Sequence, residues 1–445
     1  MGAPRYILLG LAPARSAWFR NLGHWATSGV LPAEFLKCVS AEEVRARLLS
    51  GRPFSALVAD AGLPAVDRDL LAAAQAAGCA PLVVDDGRVA RDWLELGAVA
   101  VLPGGFDRDD LVGVLGAHAR PIARGEADTS DLASPVTGSP SGWRCPVVAL
   151  TGPGGTGVST ATIALAQALG NDVRHGGLVC LVDLRLRAEQ AMLHDAGDVL
   201  PSVQELVEAH RSGQPSAEEV RAQTFAVEAR NYHLLLGLRH ARFWLALRRR
   251  AFEAAFDSLQ RAYRMLVCDV DPDLEGEDQG GSIDVEERNV MARTAIDRAD
   301  VVLAVGLPSM KGLHGLVRVV SDLIGFGVPP ERLVPVVNRA PRSPRARAAL
   351  VATLAELAAP AVGGPGRADG RSAARGLPAP LFLPERRVDE ALHDGAPLPA
   401  ALGMPLAGAV TAVMERAAPG GGVVPERVRP GTLGRWAATS AEAAG

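Results

Sequence analysis

The chain has 445 residues, of which 48% are hydrophobic and 22% are charged. This length favours two or three domains, because a single hydrophobic core rarely grows beyond a few hundred residues. No apolar run approaches the roughly 18 residues of a membrane-spanning helix, which excludes an integral membrane function. The net charge of -4 provides no global basic field for nucleic acid, so nucleic acid is not an expected partner.

Arginine supplies almost all of the basic charge, since Lys37 and Lys311 are the only lysines among 46 basic residues. The five cysteines are odd in number, widely spaced and without a CxxC pair. Such cysteines are typical of buried thiols in a reducing compartment, so we expect a cytoplasmic protein.

The first 120 residues alternate short apolar runs with helical patterns. The apolar runs read YILLGL, EFLKCVS, FSALVAD, PLVVDD and AVAVLP. This alternation predicts a parallel, doubly wound sheet of five strands, similar to flavodoxin and receiver folds. The first run is predicted as a strand rather than an export signal, because similar runs recur at helix-length spacing.

Residues 121–144 lose this periodicity and are rich in Ser, Pro and Gly, which predicts a linker. A second α/β unit is predicted over residues 145–417, also doubly wound. Its apolar runs read VVALTG, GGLVCLVD, NYHLLLGL, RMLVCDVD, ADVVLAVG, RLVPVVN and PLFLP. Residues 418–445 have neither periodicity nor an amphipathic stripe, and we predict a disordered tail there.

The first unit ends its third predicted strand in Asp60, and over residues 5 to about 118 it resembles the receiver domains of two-component signalling. The resemblance implies that Asp60 stands at the phosphoacceptor position. The positions of its chemical partners read Gly10 and Leu11 for the acidic pair, Asp85 for the hydroxyl, and Leu102-Pro103 where a lysine is expected. Without a metal or a lysine to neutralise phosphoryl charge, Asp60 is a vestigial phosphoacceptor, and the unit is predicted to act in docking or dimerisation.

The second unit opens with an apolar strand, a glycine-rich turn and a helix, in the order that a phosphate-binding P-loop requires. Glycines allow backbone N–H groups to approach and surround phosphate oxygens. The predicted nucleotide-binding residues of this segment are Gly154, Gly155, Thr156, Gly157, Ser159 and Thr160. Ser159 stands where a P-loop carries its magnesium-binding hydroxyl.

Four further segments, LVCLVDLRLR, RMLVCDVDP, VPVVNRAP and PERRVDEALHDGAPL, follow in the order of the MinD/ParA superfamily. The chain resembles its CpaE/TadZ-like branch, including actinobacterial septum-site-determining proteins. The resemblance implies ATP and Mg²⁺ as cofactors, with Asp183 as a switch acid and Asn338 reading adenine. It also implies that Ser159 and Asp269 hold the metal.

Three residues depart from that family pattern. Pro153 and Val158 replace the two lysines of the loop, and Arg185 replaces the aspartate that positions water. Lys37 and Lys311 lie on other segments of the sequence. We therefore predict weak ATP binding, no hydrolysis and no catalytic residue.

The resemblance implies a non-catalytic spatial regulator that positions septum or Tad/Flp-type pilus and secretion machinery. Expected partners are proteins of that machinery and a second copy of the chain, with recruitment to septum, pole or inner membrane face. One alternative is a slow ATP-dependent dimerisation switch in which Arg185 or Arg187 replaces the lysines. Another is DNA partition through a predicted helix that carries Arg239, Arg242, Arg248, Arg249 and Arg250 around Phe243 and Trp244. We interpret that helix as a solvated face.

Overall fold

Two separate sheets organise the part of the chain that the computed structural model describes. The described residues are 6–13, 16–50, 52–122, 143–197, 199–277, 282–362 and 379–417. Most of the predicted linker over 121–144 and all of the predicted tail over 418–445 lie outside them.

The first sheet has five parallel strands in the order β2-β1-β3-β4-β5. Its strands are β1 (Tyr6–Leu11), β2 (Ala33–Cys38), β3 (Ala56–Asp60), β4 (Ala80–Asp85) and β5 (Ala100–Pro103). Its helices are α1 (Ala17–Thr27), α2 (Ala41–Leu48), α3 (Arg68–Ala76) and α4 (Arg108–His118). This is the flavodoxin-like doubly wound order, which confirms the predicted fold. The segment between β4 and β5 contains no α-helix, so the predicted alternation is incomplete there.

Both faces of this sheet are covered, as expected for parallel strands with apolar runs. Leu9 and Leu57 pack with α2 and α3 on one face, whereas Leu8 and Val58 pack with α1 and α4 on the other. The first residue of α4 follows Asp107, whose side chain accepts two backbone N–H groups and forms a capping box with Asp110.

The second sheet has eight strands in the order β13-β12-β11-β6-β10-β7-β9-β8. Its strands are β6 (Val147–Thr151), β7 (Val179–Leu184), β8 (Phe225–Val227), β9 (Tyr232–Leu235), β10 (Met265–Val270), β11 (Val301–Gly306), β12 (Leu333–Ala340) and β13 (Leu381–Pro384). Seven of them match the predicted runs and are parallel. The short β8 was not predicted and pairs antiparallel with β9.

The helices that surround this sheet are α5 (Val158–Gly170), α6 (Gln190–Leu193), α7 (Val203–Ser212), α8 (Ala217–Arg221), α9 (Arg249–Ala262), α10 (Ile283–Arg288), α11 (Val290–Asp297), α12 (Met310–Phe326), α13 (Pro344–Val362), α14 (Asp389–His393) and α15 (Ala400–Ala417). No helix among the described residues combines the length and apolar character needed to cross a bilayer. All five cysteines are buried free thiols, which confirms their predicted burial.

The topology places the glycine-rich turn at the centre of the second sheet. It follows β6, which lies between β11 and β10. In the parallel register Asp269 of β10 pairs with Leu150 of β6 on one side and with Asp183 of β7 on the other. The carboxyl ends of these three strands therefore bring the turn and both acids to one edge of the sheet.

The arginine-rich segment differs from its prediction as one helix. Residues Ala241–Ala246 form a 3-10 helix, and α9 begins only at Arg249. Leu247 and Arg248 between them have extended backbone, and the Leu247 side chain is buried. Insertion of this leucine into the core interrupts the helical register.

Helix α3 of the first unit packs directly against α7 and α9 of the second unit. The Arg211 guanidinium of α7 donates to the Asp67 carboxylate at 2.9 Å, and Asp67 is 3% exposed. The Asp69 carboxylate accepts the backbone N–H of Arg250 at 3.0 Å. The first unit therefore docks on the second through buried polar contacts.

Candidate functional site

The glycine-rich turn between β6 and α5 closes on itself through Thr156. The hydroxyl of Thr156 donates to the Pro153 carbonyl at 2.7 Å, and its N–H donates to the same oxygen at 3.3 Å. Gly157 precedes α5 with a φ of 88°, and a Cβ there would lie 2.5 Å from Asn338 Nδ2. Only glycine fits this backbone conformation and this contact.

The turn leaves open space beside the N-terminus of α5, where the sequence predicts phosphate binding. Gly154 and Gly155 are exposed, and a Cβ added at either residue would meet no atom within 4 Å. Their backbone groups face open space beside the positive end of α5, which has 13 residues. Ser159 lies in the first turn of that helix and Thr160 follows it. Pro153 lacks an N–H, however, so one donor of such a turn is missing.

Asn338 lies against the turn itself. Its Nδ2 donates to the Thr156 carbonyl at 2.9 Å, and its Oδ1 accepts the N–H of Arg339. Both ends of the amide therefore have protein partners that hold the turn in place. The role of Asn338 in reading adenine stays a prediction.

Two buried carboxylates stand side by side at the ends of β7 and β10. Asp183 and Asp269 are both 0% exposed. Burial and the nearby charge of Asp269 raise the pKa of Asp183 to about 7. Burial also raises the pKa of Asp269, although the Arg185 guanidinium opposes that shift. Uncompensated charge is costly here, so this pair favours bound protons or cationic partners.

Gln190, at the start of α6, connects these acids to α5. Its Nε2 donates to Asp269 Oδ2 at 2.7 Å and contacts the Ser159 carbonyl at 3.4 Å. Its backbone N–H donates to Asp183 Oδ2 at 2.9 Å. Nothing in the sequence pattern identified Gln190, because its contacts depend on how α6 folds back over the sheet edge.

Arg185 lies directly over the acids. Its guanidinium is 3.5 Å from Asp269 Oδ1 and 3.4 Å from Asp271 Oδ1, and the side chain is 14% exposed. Asp271 also accepts the backbone N–H of Leu186 at 2.7 Å. The sequence analysis missed Asp271, although its position two residues after Asp269 could have identified it. Arg187, in contrast, is exposed.

Asp269, the carboxylate that the sequence predicts to hold Mg²⁺, lies against a guanidinium. The metal requires oxygen ligands at 2.0–2.1 Å in octahedral geometry. Asp269 Oδ2 accepts the Gln190 amide, whereas Oδ1 has no hydrogen-bond partner and lies 3.5 Å from the Arg185 guanidinium. Among the described residues no group of three His, Cys, Asp or Glu side chains is placed to hold a metal ion. The protein therefore places a positive charge of its own beside the predicted metal-binding acid, and binding of phosphate and Mg²⁺ here stays a prediction.

Lys311 lies nearer to the turn than its distance in sequence indicates. A Cβ added to Gly315 of α12 would lie 2.9 Å from Pro153 Cγ, so this face of α12 contacts the turn. Lys311 is exposed and occupies the same helix face, four residues before Gly315. Sequence separation alone therefore does not exclude Lys311 from the surroundings of the turn.

The first unit holds Asp60 in a closed set of contacts. Asp60 Oδ2 accepts the Trp18 indole N–H at 3.1 Å, and Oδ1 accepts the N–H of Gly62 at 3.0 Å. A cavity of about 730 Å³ lies beside them, with Asp86 and Arg88 on its wall. The Asp60 carboxylate therefore has neutral donors as partners.

The positions around Asp60 that a receiver uses for chemistry serve packing instead. A Cβ added to Gly10 would lie 2.3 Å from the Phe35 ring, so no acidic side chain fits there. Asp85 accepts the Trp93 indole N–H at 3.0 Å. The environment of Asp60 thus contains tryptophan donors where phosphoryl chemistry needs a metal and a lysine.

No family model matches this chain, and no curated protein matches it. Three solved structures resemble it at low sequence identity. A ParA family ATPase from Chlorobium tepidum TLS has a TM-score of 0.44 and 13% identity, covering 61% of this chain and 99% of its own. The cell division ATPase MinD of Pyrococcus furiosus has a TM-score of 0.40 and 18% identity, and the match covers 61% of this chain and 99% of that one. The septum site-determining protein MinD of Pyrococcus horikoshii OT3, complexed with Mg-ADP, has a TM-score of 0.39 and 18% identity. The match covers 64% of this chain and 100% of that one.

Proposed function

We propose that this chain is a non-catalytic spatial regulator of the MinD/ParA superfamily, in its CpaE/TadZ-like branch, that positions septum or Tad/Flp-type pilus and secretion machinery. The observation that carries the proposal is the Arg185 guanidinium bridging Asp269 and Asp271, beside a turn whose lysine positions are Pro153 and Val158. Hydrolysis requires positive charge on the γ-phosphate and an oriented water, and these side chains supply neither. The exposed turn supports weak ATP binding.

In this proposal the first unit is a pseudo-receiver that docks on other proteins. The Trp18 and Gly62 donors on Asp60 support a role without phosphorylation. The partners are proteins of the division or secretion machinery and a second copy of the chain. They recruit the protein from the cytoplasm to the septum, the pole or the inner membrane face. The five buried free thiols fit a reducing compartment.

Phosphate release tests the non-catalytic part of the proposal. Purified full-length protein should release no phosphate above background at millimolar ATP with Mg²⁺. Asp269→Ala is the matched control, because any turnover by this site should depend on that carboxylate. Turnover in the native protein that disappears in Asp269→Ala would reject the proposal and identify a slow switch.

Fluorescence microscopy tests the positioning part. A fluorescent fusion of the full chain, expressed in its native host, should form foci at the septum or pole. Uniform fluorescence would contradict a positioning role. Fluorescence that follows the nucleoid would identify a partition protein instead.

A slow ATP-dependent switch is the second candidate, and the position of Lys311 favours it. Gly315 contacts Pro153, and Lys311 on the same face of α12 brings positive charge toward the turn. The DNA-partition alternative has less support, because Arg249 and Arg250, two of its five arginines, already have acidic partners. Arg249 pairs with Glu286 at 2.5 Å, and Arg250 pairs with Glu253 at 3.0 Å.

A further inference from the structure

The position of Arg185 follows from the strand that precedes it. Arg185 is the first residue after β7, and its backbone N–H donates to Asp183 Oδ1 at 3.3 Å. The next N–H, from Leu186, donates to Asp271 at 2.7 Å. The carboxylates of Asp183 and Asp271 thus hold the backbone N–H groups of Arg185 and Leu186. Arg185 is therefore oriented toward the acids by the main chain.

One guanidinium lies between two carboxylates. Asp269 is buried and Asp271 is largely buried, whereas Arg185 brings one positive charge between them. A divalent cation entering here would meet a guanidinium at short range, in surroundings that screen charge poorly.

We propose that Arg185 is an internal counter-ion that takes the place of a divalent metal, so that the turn binds nucleoside di- and triphosphates without Mg²⁺. This inference deepens the proposed function and rests on it for the phosphate ligand. The guanidinium supplies one permanent positive charge that offsets part of the negative charge of Asp269 and Asp271. Phosphate-bearing ligands then meet the exposed Gly154 and Gly155 without requiring a metal to offset the acids behind them.

Mn²⁺ titration of the full-length protein, followed by electron paramagnetic resonance, tests the counter-ion directly. The native protein should have no Mn²⁺ site that depends on Asp269. The native protein and Asp269→Asn should therefore bind Mn²⁺ equally. Arg185→Ala should gain one Mn²⁺ site at least about tenfold tighter than any native binding, and Arg185→Ala with Asp269→Asn should lose it. Arg185→Lys is the matched control, because it keeps the positive charge and should gain no site.

Arg185→Gln provides the same test if Arg185→Ala does not fold, because it keeps the size of the side chain without its charge. Native Mn²⁺ binding that requires Asp269 would overturn the proposal. A folded Arg185→Ala or Arg185→Gln that gains no Mn²⁺ site would overturn it as well.

Titration with a fluorescent ATP analogue, with Mg²⁺ and with EDTA, tests the ligand. The native affinity should be equal in both conditions within about twofold, whereas Mg²⁺ should strengthen binding to Arg185→Ala. Native binding that requires Mg²⁺ would overturn the proposal. Absence of any nucleotide binding would refute the phosphate part of the proposed function, and the Mn²⁺ titration would then decide the role of Arg185 by itself.

Discussion

Pro153 and Val158 occupy the two positions that are lysines in the MinD/ParA pattern that the sequence resembles. Arg185 supplies one positive charge at a different position. Val158 is 3% exposed and packs into the core of the second sheet. Pro153 contacts Gly315 of α12. Pro153 and Val158 therefore contribute apolar packing where lysines would contribute positive charge. The charge of Arg185 lies beside Asp269 and Asp271 instead.

Lys311→Ala should weaken binding of pyrophosphate to the full-length protein by about tenfold. The reason is that Lys311 lies on the face of α12 that contacts the turn, and charge-assisted hydrogen bonds contribute about 1.5–3 kcal/mol. Isothermal titration calorimetry gives the affinity. Lys37→Ala, which changes the other lysine on β2, is the control and should bind as the native protein does. Equal affinities of Lys311→Ala and the native protein would refute this role.

His194 is a partly buried histidine whose two ring nitrogens both have partners. The nitrogens lie 2.7 Å from the Gln190 carbonyl and 2.6 Å from the Tyr232 hydroxyl. A neutral ring satisfies both, donating to the carbonyl and accepting from the hydroxyl. Burial lowers the pKa of His194 to about 4. Protonation of this ring therefore opposes the folded state.

The stability of the second unit should fall as the pH falls from about 6.5 to 4 because of His194. In that range the unfolded chain binds a proton that the folded chain does not, so acidification favours unfolding. His194→Gln should remove up to about 1 kcal/mol of this dependence per pH unit. Urea unfolding at several pH values measures it. Parallel pH profiles of the two proteins would contradict the prediction.

At the scale of elements, helix α9 receives its N-terminal cap from another unit. Its own preceding residue, Arg248, makes no side-chain cap. Asp69 of α3 accepts the N–H of Arg250 instead. The negative charge of the Asp69 carboxylate also interacts favourably with the positive N-terminal end of the helix dipole. Burial raises the pKa of Asp69, and its Oδ2 has no hydrogen-bond partner.

Asp69→Ala should lower the free energy of unfolding by about 1 kcal/mol, which is typical for loss of an N-cap. Asp69→Asn should cost little, because its amide oxygen still accepts the N–H of Arg250 and no charge remains buried. Equilibrium urea unfolding compares the two variants. Equal losses in both would show that the charge, rather than the cap, stabilises the contact.

At the scale of the whole molecule, the two sheets are joined by packing as well as by the chain. Arg211 bridges the Asp67 carboxylate of the first unit and the Glu208 carboxylate of its own helix. The Glu208 side chain is 63% exposed, whereas the Asp67 side chain is 5% exposed. The buried pair is the stronger contribution, because losing one partner leaves a buried charge.

Limited proteolysis should cut first within residues 121–144, where the composition predicts a linker. The two fragments should remain associated during size-exclusion chromatography, because α3 stays packed against α7 and α9. Arg211→Ala should weaken this association, since Asp67 would then lose its ion pair with the second unit. Glu208→Ala is the control and should keep them together. Native fragments that separate as readily as those of Arg211→Ala would contradict the docking.

The sequence by itself determined the succession of most strands along the chain, the glycine-rich turn with its missing lysines, and the burial of the cysteines. These features are local or periodic, so they can be read from neighbouring residues. The same reasoning failed over Ala241–Ala246 and β8 because burial of Leu247 and edge pairing override local preference.

Only the tertiary structure decided which charged groups meet. Arg185 reaches Asp269 and Asp271 because β7 and β10 are neighbours in the sheet. Lys311 shares a helix face with Gly315, which contacts Pro153, and Asp69 caps a helix in the other unit. These contacts join distant segments through strand order and side-chain direction, and no local pattern of residues encodes either.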